Sequence, residues 1–425
     1  MSGAYGSGSA GTAVSAKSLL GRSDGPGAVL SLIRERGGAT RRDLLLATNL
    51  ARATIESRLD RLVAHGFVVA REVPIAAGRP PQMFHFNHAG GYLLCIDMGS
   101  TQTRLGITDL SGRLSAYVSA DLDLSMGPGV ALGKVGTLLR TMIRKERIDP
   151  GLVMGVGVGV PSHVELTGHM VRPPFEAQAT TLASWTGMVI SQEIRAFLPA
   201  LGIGAVPVAV DKDANIMALG EWREAWPEVR DLIVLKVGMS ISSAIVANSR
   251  IVRGAIGLAG DLGHIPDPTS DLVCSCGQRG CADTIASGRG ISKLLGDSVG
   301  PIHASADLRR LQDSGRPEVI ALVKQAGQHL GVLIGIGIAA LNPQLVVVGG
   351  GLAENNALLL DEIRTVALSR VHPLTAATTN IVAAQISAAS GLYGAAHLVL
   401  REVLDPSAVD QAIERGMKLS VHQGS

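Results

Sequence analysis

Three of the four cysteines fall within eight residues, at a spacing that can hold a metal ion. Cys274, Cys276 and Cys281 follow a C-x-C-x4-C pattern, and His264 precedes them across a proline-rich loop. Three thiolates and one imidazole complete a closed, four-ligand zinc site, so the expected zinc is structural. Reduced thiols in a glycine-rich loop are the alternative. A disulfide framework is more typical of short secreted chains.

The glycines around these residues also follow a fixed pattern. The chain reads G-x-x-G-x-A-G-D-x-G-H over residues 254–264 and C-x-C-G-x-x-G-C over residues 274–281. This combination resembles the zinc segment of the ROK family, named for repressors, open reading frames and sugar kinases. The resemblance covers residues 92–398. It implies a zinc-pinned loop that fixes the direction of Asp261, His264 and Asp283.

The resemblance implies an α/β fold, the actin-like (ribonuclease H-like) two-lobed sugar-kinase fold, with the ligand in the cleft between the lobes. Strands alternate with helices twice over residues 89–405, and each half opens with a strand and a glycine turn. This alternation favours the same fold. The positions that match the family's sugar site are Ser162, Lys212, Asp213, Asp261, His264 and Asp283.

The chain departs from the family's kinases at the positions that carry phosphoryl transfer. Asp213 matches the general base, although an aspartate that only caps a helix explains the residue equally well on its own. The phosphate loop has lost four glycines, and each replacement adds a Cβ where a phosphate would lie. The replacing residues are Ser240, Ser242, Ser243 and Ala244. We therefore expect no catalytic residue and no sugar phosphorylation.

The candidate pocket also carries four changes of size or charge. Asp211, Asp261 and Asp283 stand where the family has glutamate, and Lys212 stands where it has asparagine. Shorter acids predict a wider pocket. Lys212 has two interpretations, an ion pair with Asp213 or a contact with an anionic ligand. We expect a larger, amino-substituted or phosphorylated sugar rather than glucose.

Two other glycine-rich stretches carry weaker signals. Residues 97–101 form an Asp-x-Gly-Ser-Thr turn, which in the family's kinases approaches the nucleotide phosphates. Gly155, Gly157 and Gly159 alternate along a predicted strand over residues 152–160. No helix follows them directly and no acid lies at the spacing of a dinucleotide-binding fingerprint, so we do not expect such a site.

An N-terminal segment indicates which branch of the family this is. Its apolar periodicity predicts three short helices, and two β-rich runs joined by a Gly/Pro turn predict a hairpin. The predicted helices cover residues 26–36, 40–48 and 51–65, and the predicted strands cover residues 67–72 and 83–86. Residues 26–88 therefore resemble the winged helix-turn-helix of ROK repressors, which ROK kinases lack.

Positive charge is concentrated in this segment. Residues 1–81 hold eleven basic and six acidic residues, a net charge of +5 in a chain whose total is +2. Arg79, held by Gly78 and Pro80, suits a narrow minor groove. The alternative is a protein-binding winged helix with a solvated basic face. The candidate DNA contacts are Thr40, Arg41, Arg42, Arg52, Thr54, Ser57, Arg58, Arg61 and Arg79.

Length and composition set the remaining expectations. The 425 residues are 46% apolar and 17% charged, which suits two to three domains with a large core. Residues 1–25 predict a flexible tail and residues 406–425 a C-terminal tail. We expect no membrane span, because the longest apolar run covers only residues 331–341, and no signal peptide. The expected location is the cytoplasm.

These features predict a sugar-responsive transcriptional regulator. The expected partners are double-stranded operator DNA and a carbohydrate or sugar-phosphate inducer, the expected cofactor is structural zinc, and the expected assembly is a homodimer or homotetramer. Repression relieved by the inducer is the leading hypothesis. The alternatives are an active ATP-dependent sugar kinase with a DNA-binding appendage, and an activator or constitutive DNA binder that ignores sugars.

Overall fold

A computed structural model describes residues 25–72, 81–99, 102–165, 168–170 and 183–421. The chain divides into two compact units. Described residues up to Tyr92, with residues 109–111 and 400–421, form the N-terminal unit, and residues 93–108 and 112–399 belong to the larger unit. The predicted domain boundaries, at residues 26–88 and 89–405, stay predictions. The expected flexible tail lies outside the described residues, apart from Gly25.

The N-terminal unit contains the expected three helices and a small antiparallel sheet. Its helices are α1 (Pro26–Glu35), α2 (Arg41–Thr48) and α3 (Arg52–Ala64). Its strands are β1 (Ala39–Thr40), β2 (Val68–Glu72) and β3 (Gln82–Phe86), in the order β1-β3-β2. β1 was not predicted, because two residues are too few to show a periodic pattern.

A capping box fixes the start of α2. The Asp43 amide donates to Thr40 Oγ1 over 3.2 Å, and the Thr40 amide donates to Asp43 Oδ2 over 2.9 Å. These reciprocal bonds satisfy backbone donors that a helix start leaves free. Buried side chains from each of the three helices, such as Ile33, Leu44 and Leu59, contribute to the core of the unit.

The C-terminal helix belongs to this unit. Helix α14 (Pro406–Glu414) meets α1, where the Gly27 amide donates to Asp410 Oδ1 over 2.7 Å. A Cβ on Gly27 would lie 2.0 Å from the carbonyl oxygen of Pro406. Only glycine allows this approach of the two backbones.

The chain after α14 continues along the same unit. The Leu419 amide donates to the carbonyl of His65 over 3.0 Å. Asn87 Nδ2 donates both to the carbonyl of Gly66 over 2.8 Å and to that of Ser420 over 2.7 Å. Residues from the two ends of the chain therefore share one hydrogen-bond network, which the sequence pattern did not indicate.

The larger unit holds two five-stranded sheets with the same strand order. The first sheet contains β4 (Tyr92–Met98), β5 (Gln102–Asp109), β6 (Leu114–Asp121), β7 (Val153–Val160) and β8 (Val208–Lys212). The second contains β9 (Leu232–Val237), β10 (Ile241–Ala247), β11 (Arg250–Val252), β12 (Leu345–Gly349) and β13 (Asn380–Ala383). Their orders are β6-β5-β4-β7-β8 and β11-β10-β9-β12-β13. This repeat confirms the two-lobed fold.

Helices cover the two sheets. They are α4 (Pro128–Lys145), α5 (Ile190–Phe197), α6 (Asp213–Ala225), α7 (Asp283–Ala286), α8 (Gly288–Leu295), α9 (Ser305–Asp313), α10 (Pro317–Leu341), α11 (Ala357–Ser369), α12 (Pro373–Thr378) and α13 (Ser390–Val403). Helix α6 follows β8 directly, and its first ten residues are buried. The start of α6 is therefore held rigidly.

Helix α10 is longer than the apolar run noted in the sequence. By length and composition alone it could cross a membrane, and half of its most apolar window is buried within the described structure. Its side chains Leu330, Ile334 and Ile338 belong to one core cluster with Ile233 of β9 and Val346 of β12. This burial is the pattern of a core helix.

We expect Asp410→Asn to destabilise the N-terminal unit. The substitution removes the charge from the bond to the Gly27 amide, and such charge-assisted bonds contribute about 1.5–3 kcal/mol. Hydrogen exchange of the α1 amides should become faster. Glu414→Gln, an exposed position on the same helix, is the matched control. Equal exchange in both variants would show that the contact does not stabilise α1.

Candidate ligand pocket and metal centre

The structure brings the four predicted zinc ligands together. One atom from each of His264, Cys274, Cys276 and Cys281 lies within 4.8 Å of the others. His264 Nδ1 is 3.5 Å from Cys274 Sγ, and Cys276 Sγ is 3.5 Å from Cys281 Sγ. A tetrahedron with zinc–sulfur bonds of about 2.3 Å has edges of about 3.8 Å. The cluster therefore fits a four-coordinate zinc ion.

Backbone hydrogen bonds position these ligands before any metal binds. The Cys274 amide donates to the carbonyl of Gln278 over 2.8 Å, and an isolated β-bridge joins Pro266 to Cys281. Burial alone would raise the pKa of the Cys274 thiol, but the His264 imidazole beside it brings that pKa down to about 7. A thiol that ionises this readily is a good metal ligand.

The expected general base is paired with a lysine that the sequence analysis did not select. Asp213 lies at the start of α6, and its Oδ2 is 2.7 Å from Lys236 Nζ, on β9. Burial disfavours the lysine's charge, but Asp213 and Asp97 outweigh it and raise the pKa of Lys236. Asp213 is therefore held in an ion pair.

Lys212 bonds to backbone carbonyls rather than to Asp213, and its contact with an anionic ligand stays a prediction. Its side chain is only 2% exposed, and its Nζ donates to the carbonyls of Ser243 over 2.8 Å and Ala259 over 3.4 Å. Burial lowers the pKa of Lys212, while Asp261 and Asp213 oppose that effect. The ammonium thus ties β10 to the loop before the metal centre.

The three shortened acids each contact a protein group. Asp211 Oδ2 accepts from Arg253 Nη2 over 2.6 Å, and Asp283 Oδ1 accepts from the Ile241 amide over 2.7 Å. Asp261 Oδ2 lies 3.2 Å from His163 Nε2. The acid–partner pairs are Asp211 with Arg253, Asp261 with His163, and Asp283 with the Ile241 amide. Asp211 and Asp283 therefore have hydrogen-bond partners without a ligand, whereas His163 Nε2, beside Asp261, makes no hydrogen bond among the described residues.

The partners also set the charge of two of these acids. Burial raises the pKa of Asp283, against the effect of the Ile241 amide. Burial likewise works against the charge of Asp261, but His163, His264 and Lys212 lower its pKa overall. Asp261 therefore stays charged, and its Oδ2 lies 3.2 Å from Nε2 of the half-buried His163.

The segment expected as a phosphate loop is mostly a β-strand. Ser242 pairs with Lys236 and Ser243 with Leu235 across β10 and β9, so only residues 238–240 form the turn. Ser243 is fully buried and its hydroxyl donates to the Gly260 carbonyl. The Ser243 side chain is therefore buried and hydrogen-bonded within the protein. A phosphate cradle would instead need exposed backbone amides.

The candidate DNA face lies in the N-terminal unit. On α3, Arg52, Ser57 and Arg61 are exposed, whereas Thr54 and Arg58 are half-buried. Arg52 is 80% exposed and its Nε lies 2.9 Å from Glu56 Oε1, so the face carries mixed charge. To contact DNA, the Arg52 side chain would have to leave its ion pair with Glu56.

The remaining candidates lie on and before α2. Arg42 is exposed, and the Thr40 hydroxyl is used by the capping box. Arg41 donates to Gln82 Oε1 over 2.8 Å, and its guanidinium lies 4.8 Å from the centre of the Phe84 ring. Arg41 therefore links α2 to the hairpin strand. Arg79 and the expected wing turn lie outside the described residues.

Four side chains at the pocket were missed by the sequence analysis: His163, Lys236, Arg253 and Arg104, which lies 3.7 Å from Asp97. Arg253 is 42 residues from its partner Asp211 in the sequence, and Lys236 is 23 residues from its partner Asp213. No local pattern reports such contacts. A lysine inside the otherwise apolar strand LIVLKV was the one available signal, since lysine is rarely buried without a partner.

Two sheets of matching order, a buried helix that opens with Asp213 and a Cys3His cluster define a protein of the sugar-kinase-like, two-lobed class. The ROK family model matches residues 93–402. The chain belongs to the ROK family.

Similar proteins include both regulators and kinases. A xylose repressor of Caldicellulosiruptor bescii is 27% identical over 80% of this chain and 86% of its own length. A glucokinase of Halalkalibacterium halodurans is 24% identical over 72% of this chain and 94% of its own. A crystal structure of a ROK family transcriptional regulator, a homolog of the E. coli MLC protein, matches with a TM-score of 0.72 at 23% identity, covering 92% and 98% of the two chains. The resemblance to this regulator includes the fold of nearly the whole chain.

We expect Cys276→Ser to lower the zinc content from about one ion per chain to well under half, because a hydroxyl is a poor ligand in a thiolate site. Elemental analysis of the purified full chain measures this. Ligand response should fall before DNA binding does, since the cluster and the candidate DNA face lie in different units. Cys95→Ala, at a buried cysteine on β4, should keep its zinc. Full zinc in Cys276→Ser would contradict the ligand set.

Proposed function

We propose that the protein is a DNA-binding transcriptional repressor that a carbohydrate releases from its operator. The observation that carries this proposal is the combination, in one chain, of a basic three-helix-and-hairpin unit with a ROK domain. Similarity over 80% of the chain to a protein named xylose repressor supports it. ROK glucokinases match only 72–73% of the chain.

The ligand side of the proposal rests on the groups that converge near α6. Asp261 lies 3.2 Å from His163, which follows Ser162 in the chain, and carboxylate, imidazole and hydroxyl groups suit the hydroxyls of a sugar. Because Lys212 is only 2% exposed and directs two of its three N–H donors at backbone carbonyls, it offers little to an anionic ligand. We infer a sugar larger than glucose or amino-substituted, rather than a phosphorylated one.

We propose that the protein does not phosphorylate its ligand. Asp213 is paired with Lys236, so its carboxylate would have to leave this ion pair to approach the hydroxyl of a sugar. The strand that covers residues 241–247 also supports the proposal, because a phosphate cradle needs backbone amides that are not already paired. The active kinase thus remains the less supported alternative.

The remaining parts of the proposal follow from these functions. Zinc would be held by the Cys3His cluster as a structural ion, operator binding places the protein in the cytoplasm, and a homodimer or homotetramer would recognise an inverted repeat. Release requires that the sugar bind the DNA-free state more tightly than the DNA-bound state. An activator would show the same coupling with another transcriptional outcome.

We expect Arg58→Ala and Arg52→Ala each to weaken operator binding by about 1–3 kcal/mol, about 5- to 150-fold, if the side chain reads a base. Fluorescence anisotropy with the operator from the protein's own promoter region measures this at fixed salt. Arg250→Ala, exposed in the larger unit, is the matched control for loss of positive charge. Unchanged binding in Arg52→Ala, Arg58→Ala and Arg79→Ala together would remove α3 and the wing as the DNA-reading elements.

A screen of mono- and disaccharides against the protein–operator complex tests the proposed function. A larger or amino-substituted sugar should release the DNA at concentrations where glucose and sugar phosphates do not. Asp261→Asn should weaken this response, because it removes the charged acceptor beside His163. Adding ATP to the same samples should produce no sugar phosphate. Turnover near about 1 s⁻¹ would instead establish a kinase, and no release by any sugar would favour a constitutive DNA binder.

A further inference from the structure

Two buried carboxylates of the larger unit are close enough for their charges to interact. Asp97 lies on β4 and is 5% exposed, and Asp213 at the start of α6 is 7% exposed. Their charges interact unfavourably, which contributes to the raised pKa of Asp97 after the larger effect of burial. Two acids buried at one place require compensating positive charge. A divalent cation is one solution, and side-chain cations are another.

The structure uses side-chain cations. Lys236 Nζ is 2.7 Å from Asp213 Oδ2 and also interacts electrostatically with Asp97. Arg104 Nη1 is 3.7 Å from Asp97 Oδ2. The cluster therefore contains two acids and two bases and is neutral overall.

Within the described part of the chain, one atom of this cluster has no hydrogen-bond partner. Asp97 Oδ1 is buried and accepts no hydrogen bond among the described residues. A Cβ on Gly391, in α13, would lie 2.3 Å from Asp97 Oδ2, so glycine there leaves room for the carboxylate. An oxygen of this kind is the hard donor that a divalent cation would use.

We propose that Lys236 is the resident cation of this site and excludes a divalent metal ion from it. Its ammonium occupies the space beside Asp213 and supplies the charge that a metal would bring to both acids. Ligand binding at this site then needs neither a divalent cation nor a metal-bound nucleotide. Removing the lysine should uncover a cation site made by Asp97 and Asp213.

Lys236→Met tests the proposal, because methionine keeps much of the side-chain volume and removes the charge. Mn²⁺ is the probe, titrated into the zinc-loaded full chain and followed by electron paramagnetic resonance of the free ion. The wild type and Lys145→Met, a change at an exposed lysine on α4, should show no site that depends on Asp97. Lys236→Met should gain one Mn²⁺ site, at least about tenfold tighter than any wild-type binding.

A double variant and a stability measurement complete the test. Lys236→Met/Asp97→Asn should lose the gained site, and Mn²⁺ should raise the unfolding temperature of Lys236→Met but not of the wild type. If Lys236→Met does not fold, Lys236→Thr and the wild-type titration carry the test. A wild-type Mn²⁺ site that Asp97→Asn abolishes would overturn the proposal, as would a folded Lys236→Met or Lys236→Thr that gains none.

This inference rests on the same site as the proposed function but can fail separately from it. The titrations contain no DNA and no sugar, so they report only on charge compensation at Asp97 and Asp213. Failure of a sugar to release the operator would leave the Mn²⁺ result intact.

Discussion

The charge balance around Asp213 is the constraint on which the candidate pocket depends. This carboxylate starts α6, whose first ten residues are buried, and Lys236 on β9 of the second sheet compensates it over 2.7 Å. Breaking a buried pair on one side leaves an uncompensated charge, which costs several kcal/mol. The pair therefore joins the start of α6 to the second sheet.

The metal cluster constrains the pocket from the other side. His264 is a predicted zinc ligand, and three residues before it Asp261 contacts His163, so the loop carries both functions. A Cβ on Gly263 would lie 2.9 Å from the Ile241 carbonyl, so the loop must run directly against β10. Fixing the cluster thus fixes the position of the acid, which is why a structural metal can matter for ligand response.

Sequence patterns predicted the parts of the fold whose signals are local. Spacing gave the Cys3His cluster, and periodicity gave α1 to α3 and the strands that open each half of the larger unit. The pairing of Lys236 with Asp213 and the joining of α14 to α1 were not predictable, because each depends on residues far apart in the sequence. The two interpretations of Lys212 both assumed charged partners, whereas its ammonium bonds to backbone carbonyls.

The three shortened acids are not all available to a ligand in this pocket. Asp211 holds Arg253, and Asp283 holds the Ile241 amide, so two of the three are occupied by the protein itself. A carboxylate already satisfied in this way gains little from a further hydroxyl, because that contact would only replace an existing bond. Asp261 lies 3.2 Å from the half-buried His163 and is the one of the three acids without a hydrogen bond to that neighbour. In the proposed function, the choice between sugars therefore depends on this carboxylate and on the shape of the space around it.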